Sequence, residues 1–382
     1  MKILMFAPQF APLIGGAERQ AEKLGQALSS QGLQVKVVTP RLVPGSPLHE
    51  VRGGLAVRRF ELQDLARDRH WRGIGLSNVP WITLQIVTAL RADVGRADVL
   101  HCHIGCLQSL AAALVARLRG KPVICKAAMA DDQSDLGEMA RNGLLSRLLA
   151  KSGRLAFTRW VATTQAVREG LMRAGVSSTR IVVIPNGVEL MPTDTQIRKG
   201  RVRRFLYLGR LSSNIERDVP GLIKAFDQIA ASHSDIELVI VGDGDLRADA
   251  QYLAAQCRHA SRIQLPGADA AAKWLAWADA FVLPSKREGL SNALLEAMSY
   301  GLPCVATDIP PNREVLADGQ CGLLVPTGDT PALERALASL VDDAHLAEDL
   351  GQRALERVRL HYGLPSVSSR YRALYAELKQ SN

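Results

Sequence analysis

Strand-like and helix-like hydrophobic patterns alternate along almost the whole chain, and that alternation limits the fold more than any other feature. Strand patterns at residues 2–7, 34–39, 97–102, 122–126 and 159–163 are separated by helical spacing at 17–30, 107–119 and 166–174. A second series of strands, at 205–208, 238–241, 263–267, 280–283 and 305–309, follows further on. Short apolar strands that alternate with helices specify parallel sheets covered on both faces. Ligands of such sheets bind beyond the carboxyl ends of the strands, so the loops that follow strands are the informative ones.

With 382 residues the chain exceeds one typical domain, and the polar stretch 192–204 after the Asn186-Gly187 turn reads as a linker. Hydrophobic and charged contents of 47% and 22% describe an ordinary globular protein with ample core. The six cysteines, at 102, 106, 125, 257, 304 and 321, form no paired framework, which fits a reducing cytosol. The apolar run at residues 1–6 is too short for a signal peptide and reads as a first buried strand, and no run is long enough to span a membrane.

The net charge of +9 is unevenly placed. Residues 1–192 hold 25 Lys and Arg against 14 Asp and Glu, whereas the remainder holds 22 against 24. A basic first half suits anionic lipid or a phosphorylated acceptor. Nucleic acid is discounted, because aromatics are few and no recognised binding motif accompanies the charge. Between residues 58 and 96, Arg58, Arg59, Arg67, Arg69, Arg72, Arg91 and Arg96 surround Trp71, Trp81 and the uncharged stretch 79–90. Two readings stay open: a membrane-interface element serving a lipid-linked acceptor, or a core helix with solvated arginines at its ends.

The densest chemistry lies at residues 285–301. The apolar strand 280–283 runs through Pro284-Ser285 and a turn holding Glu288 into a helix that opens near Ser291 or Asn292. Amides of Gly289, Leu290, Ser291 and Asn292 at such an entry, together with the helix dipole, favour a phosphate. Glu296 lies inside the helix among Leu294, Leu295, Ala297 and Met298, where a carboxylate is costly unless donors reach it. A sugar diol supplies such donors. On its own the pair of glutamates equally fits a surface Glu and a core-edge Glu satisfied by backbone.

Glu288 and Glu296, with seven residues between them and placed between Pro-Ser and Ala-Met-x-x-Gly, resemble the signature of the family 4 glycosyltransferases, and the resemblance extends from Val183 to Asp329. It implies an α/β fold of the GT-B type, with two Rossmann-like domains facing a cleft. Residues 1–190 would bind the acceptor, residues 191–364 the nucleotide sugar, and a C-terminal helix at 365–382 would cross back to the first domain. Glu288 then faces the donor sugar, Gly289, Leu290, Ser291 and Asn292 hold the diphosphate, and Glu296 holds the ribose. Arg210, after the strand at 205–208, takes the place of a family arginine on the diphosphate. Ile215 occupies the position of the accompanying lysine, and Arg217, two residues on, is its substitute, since Arg grips phosphate in bidentate fashion. The Gly15-Gly16 pair before a helix resembles the loop that reaches toward the diphosphate, although a plain helix entry fits it as well.

His101 and His103 end one strand pattern. By resemblance His103 lies near the reacting sugar, while the residues alone also allow a histidine hydrogen-bonded at a strand end, or, with Cys102 and Cys106, a zinc site. Where relatives commonly carry His-Gly after the next strand, this chain has Lys126-Ala127-Ala128. Lys126 could pair with phosphate or with Asp131, Asp132 or Asp135. Asp243-Gly244-Asp245 reads as a helix entry capped by Asp245, with metal binding as the alternative. Pro310-Pro311 stands where relatives often have Gly-Gly, which stiffens a loop near the donor.

The resemblance therefore implies a retaining hexosyltransferase that uses a UDP- or GDP-sugar without a metal or other cofactor. Its acceptor would be a sugar, in free or lipid-linked form, in bacterial surface polysaccharide assembly, and the enzyme cytoplasmic or peripheral at the inner face of the membrane. The alternatives are a nucleotide-sugar epimerase of the same fold and a non-catalytic partner in an assembly complex. An NAD enzyme is disfavoured by the missing fingerprint glycines.

Overall fold

The computed structural model describes residues 1–13, 15–63, 70–71, 74–75, 79–129, 137, 150–151, 153–191, 200–213 and 216–381. The chain divides into two compact units, Met1–Gly187 with Leu364–Asn382, and Val188–Gly363. The breaks fall there because Val188 donates its amide to Tyr362 O at 2.9 Å and bridges Gly363, which ties both segments to the second unit. The linker residues 192–199, Arg67, Arg69, Arg72, the Trp71 side chain, Asp131, Asp132, Asp135 and Ile215 lie outside the described residues.

The strands of the first unit are β1 Lys2–Phe6, β2 Gln34–Pro40, β3 His49–Arg52, β4 Leu55–Phe60, β5 His70–Trp71, β6 Ile74–Gly75, β7 Val99–Cys102, β8 Val123–Ala127, β9 Arg159–Ala162 and β10 Ile181–Val183. Among the described residues eight of them form one sheet in the order β10-β9-β8-β7-β1-β2-β4-β3, parallel except for the β3–β4 hairpin. Alternation along each strand sorts side chains to two cores. Leu4, Phe6, Leu100, Cys102 and Cys125 face the helices Val79–Arg96 and Leu107–Leu118. Met5, Val37, Val99, Ile124 and Val161 face the helix Gly16–Ser30 and the C-terminal helix Leu364–Gln380, which inserts Tyr371, Leu374 and Tyr375.

The β3–β4 hairpin changes the reading of the basic segment. Arg59, on β4, is buried and donates to Glu50 (2.6 Å) and to the carbonyls of Ala11 and Pro47. Arg58 pairs with Asp93 and donates to Ala89 O at 2.7 Å. Both arginines therefore hold the fold together and contribute nothing to a free cationic face. In the helix Val79–Arg96, Ile82, Ile86, Leu90 and Val94 are buried at a four-residue spacing, as in a core helix, whereas Trp81 and Leu84 are exposed. Among the described residues no helix is long and apolar enough to cross a membrane.

The second unit contains β11 Arg204–Leu208, β12 Glu237–Val241, β13 Ile263–Gly267, β14 Ala280–Leu283, β15 Cys304–Thr307 and β16 Leu323–Val325. Among the described residues they form a wholly parallel sheet in the order β13-β12-β11-β14-β15-β16. Strand order reverses at β11 and β14, the kind of position at which open α/β sheets bind ligands. The loops that follow these two strands carry Arg210, Arg217 and Glu288.

Candidate active site

In the second unit, strand pairing delivers the cation. Asp218 donates its amide to Pro284 O at 2.8 Å and Lys286 to Glu216 O at 2.7 Å, so residues 216–218 zip onto 284–286 with Arg217 opposite Ser285. Arg217 Nη2 then lies 3.0 Å from Glu288 Oε1, and that oxygen also accepts from Ser285 Oγ at 2.8 Å. The two side chains are only 14% and 12% exposed. A charge pair this sheltered is weakly screened and holds a fixed geometry.

Sequence reasoning missed the other end of this guanidinium. Arg217 Nη1 donates to Tyr207 Oη at 3.2 Å, and the phenol donates in turn to the carbonyl of Arg210 at 3.4 Å. Tyr207 is fully buried, and burial pushes its hydroxyl up from the usual phenol range. One buried hydroxyl thus joins the segments that carry both arginines. Gly209 makes room for the arrangement: a Cβ there would stand 1.8 Å from Arg217 Nη1. Gly242 is required for the same turn, since its Cβ would lie 1.8 Å from Gly209 O. The Arg210 side chain is exposed, and no side chain holds it among the described residues.

Behind Glu288 the helix Asn292–Ser299 is capped by Ser291, whose Oγ accepts from the Leu294 amide at 3.3 Å. Gly289 and Leu290 are buried in the approach, Asn292 opens the helix, and Glu296 sits half-buried on its second turn. Thr307 Oγ1 donates to Ser285 O, and Asn312 Nδ2 donates to Thr307 O at 2.9 Å, bracing the loop from behind. Pro310 and Pro311 do not stiffen a free loop. They are the first residues of the helix Pro310–Val315, where proline's missing amide costs nothing.

Asp245 has another role than capping. The helix Arg247–Ala255 follows Leu246, and Asp245 instead accepts from the Ser213 hydroxyl and amide, which hold its carboxylate down to about 2. Among the described residues no cluster of His, Cys, Asp and Glu has the arrangement of a metal site, at Asp243–Asp245 or at His101–Cys106.

In the first unit His103 follows β7 and donates its amide to Phe6 O at 3.1 Å. Its ring stacks on His101 at 4.1 Å, so the two imidazoles share a face. His101 Nδ1 lies 2.7 Å from Tyr375 Oη, which anchors that ring to the C-terminal helix. Burial, then the charge of Lys126, push His103 down to about 3. Gly15 precedes the helix Gly16–Ser30 in extended backbone, and the Glu18 carboxylate from the first turn folds over it, 2.0 Å from where a Gly15 Cβ would be. That helix entry already faces an anion of its own.

The sequence of each half is similar to known proteins. Residues 15–187 match the profile described as Glycosyl transferase 4-like domain, and residues 202–343 match Glycosyl transferases group 1. A phosphatidyl-myo-inositol mannosyltransferase of Mycolicibacterium smegmatis is 30% identical over 98% of this chain and 93% of its own length. The chain belongs to the family 4 glycosyltransferases. A GDP-mannose:cellobiosyl-diphosphopolyprenol alpha-mannosyltransferase of Xanthomonas campestris is 27% identical to this glycosyltransferase, covering 97% of it and 95% of the relative. Among solved structures, the Anabaena protein HepE in complex with UDP superposes with a TM-score of 0.76 at 17% identity, covering 99% of this glycosyltransferase and 100% of HepE. Sucrose-phosphate synthase of Thermosynechococcus elongatus gives 0.79 at 19% identity with both chains fully covered. The two Rossmann-like units of the glycosyltransferase are therefore those of the GT-B fold.

Proposed function

We propose that this glycosyltransferase transfers a hexosyl residue from a UDP- or GDP-sugar to a hydroxyl of a sugar acceptor carried on a lipid, with retention of configuration. The observation that carries the reading is the cluster of Arg217, Glu288 and Ser285 at the entry of the helix Asn292–Ser299. It sets a buried cation, an acceptor of sugar hydroxyls and a row of backbone amides side by side. The relatives named for GDP-mannose, phosphatidylinositol and diphosphopolyprenol support the donor and acceptor classes.

In the proposed reaction the C1–O bond to the diphosphate breaks, and its electron pair leaves with the diphosphate. The acceptor oxygen bonds C1 on the face the leaving group vacates, and its proton passes to a diphosphate oxygen. Arg210, Arg217 and the amides of Gly289, Leu290, Ser291 and Asn292 stabilise the departing charge in place of a metal, an electrostatic task. Glu288 orients the sugar, Glu296 holds the ribose, and His103 contributes beside the reacting centre. Gly15 and Gly16 approach the diphosphate once Glu18 yields. Residues 1–190 with 365–382 serve the acceptor and 191–364 the donor. We place the enzyme at the inner face of the cytoplasmic membrane in surface polysaccharide assembly, touching lipid through Trp81 and Leu84.

Isothermal calorimetry with UDP and with GDP, on the wild type and on Glu296→Ala, tests the donor site. The expected result is binding of one nucleotide, weakened at least tenfold by the substitution and unchanged by EDTA. Failure of both nucleotides to bind would overturn the reading.

A further inference from the structure

The C-terminal edge of β7 and β8 carries, around His103, a group of nitrogens to which the proposed reaction gives no acceptor. Cys102 and Cys125 are register partners on these strands, so His103 and Lys126 stand next in line, one residue beyond each. Alternation puts His101, Ile124 and Lys126 on the face toward the C-terminal helix. His103 and Lys126 are 3% and 5% exposed. The His101 ring lies between that of His103, at 4.1 Å, and that of Tyr371, at 5.3 Å. The Nε2 atoms of both histidines are buried and have no hydrogen-bond partner among the described residues.

No carboxylate among the described residues pairs with Lys126. Burial draws its ammonium down to about 8, which leaves it mostly charged at neutral pH, whereas His103 stays neutral there. A buried cation and two imidazole edges without a hydrogen-bond partner among the described residues, all on one face, are costly. They are donors awaiting an acceptor, at the sheet edge where parallel strands receive ligands.

We infer that Lys126 and His103 form a seat for a phosphate group, with His101 and Tyr375 fixing the His103 ring from behind. Lys126 supplies the charge and His103 Nε2 a neutral N–H, two donors that converge on one oxyanion. Phosphate on the acceptor and phosphate of the donor share this chemistry. The choice between them rests on the glycosyltransfer reading, but the seat itself does not.

The test is calorimetric titration of the full chain with inorganic phosphate, in an Arg210→Gln, Arg217→Gln background so that neither guanidinium assigned to the donor diphosphate contributes. The expected result is binding that Lys126→Met weakens at least tenfold and His103→Gln weakens about threefold. Lys126→Met should also melt about 2–4 °C higher, because an apolar side chain of similar length replaces a buried charge that no carboxylate among the described residues balances. The inference is overturned if phosphate does not bind, or if Lys126→Met melts lower and binds phosphate like its parent, which would make Lys126 a structural ion-pair partner. Should Lys126→Met not fold, unchanged phosphate affinity in His103→Gln overturns it equally. Repeating the titration with both arginines restored and UDP or GDP present, and following the share of phosphate binding that Lys126→Met removes, identifies the source: displacement of that share assigns the seat to the donor, joint binding to the acceptor. With both arginines restored, phosphate binding without UDP or GDP binding would leave the seat standing and sink the donor site.

Discussion

The two units handle buried charge in opposite ways. In the second unit the cation is balanced: Arg217 is held by Glu288 at one end and Tyr207 at the other, and Ser285 completes the glutamate. In the first unit Lys126 lies buried beside two stacked imidazoles, and no carboxylate among the described residues answers it. A balanced pair costs little while empty but must be reorganised when the ligand arrives. An unbalanced cluster is unfavourable while empty and is relieved by the ligand. The same replacement, cation to methionine, should therefore move stability in opposite directions in the two units.

Arg217→Met should show the larger effect. It strands the Glu288 carboxylate in a sheltered site, and such a loss costs about 3 kcal/mol. Melting should fall, in contrast to the rise expected for Lys126→Met, and calorimetry should find UDP and GDP affinity lost. If Arg217→Met melts like the wild type, the balanced side of the comparison collapses. Glu288→Gln alongside it, in a double-mutant cycle, reads the coupling directly.

The unbalanced side has its own signature in acid. The folded-state value of about 3 for His103 lies below the ordinary 6.5, so between those values the unfolded chain binds the additional proton. Stability present at neutral pH should be lost as the pH falls from about 6.5 toward 3, and a shift of this size corresponds to at most about 5 kcal/mol. Unfolding by urea at pH 7 and pH 4 checks it. The wild type should lose more stability between the two than His103→Gln does, with the carboxylates common to both cancelling in the difference. Equal losses would mean that the imidazole is solvated.

What was legible in the sequence divides along the same line. Strand and helix periods mark most of both sheets, because parallel strands buried on both faces are written as short apolar runs. The helix entry at Ser291 and the carboxylates at 288 and 296 are equally plain, since a single strand, turn and helix carries them all. Partners from distant segments are not written that way. Nothing local to Arg58 or Arg59 announces Asp93 or Glu50, so two structural ion pairs looked like part of a basic surface. The β3–β4 hairpin, which brings Glu50 to Arg59, lacks the long apolar run of a central strand. Asp245 looked like a helix cap because a cap is local, whereas its actual partner, Ser213, lies 32 residues away. Tyr207 was hidden most completely. Inside an apolar strand a tyrosine reads as core, and only the pairing of the returning 216–218 segment with 284–286 brings Arg217 to its hydroxyl.

That hydroxyl gives the smallest and sharpest test of the balanced site. Tyr207→Phe keeps the ring, its packing beside Phe205 and Val219, and the Arg217–Glu288 pair. It removes only the acceptor for Arg217 Nη1 and the donor to Arg210 O. A hydrogen bond to a charged group is worth about 1.5 kcal/mol, so a roughly tenfold weaker hold on a nucleoside diphosphate is expected. The matching nucleoside has no phosphate for Arg217 to grip, and its affinity should be unchanged. Calorimetry with UDP and uridine, or GDP and guanosine, reads the ratio. A purely structural phenol would lower Tm and weaken both ligands alike, whereas one that aims the guanidinium changes the diphosphate alone. The first outcome would reduce Tyr207 to core packing and leave Glu288 as the side chain that orients Arg217 among the described residues.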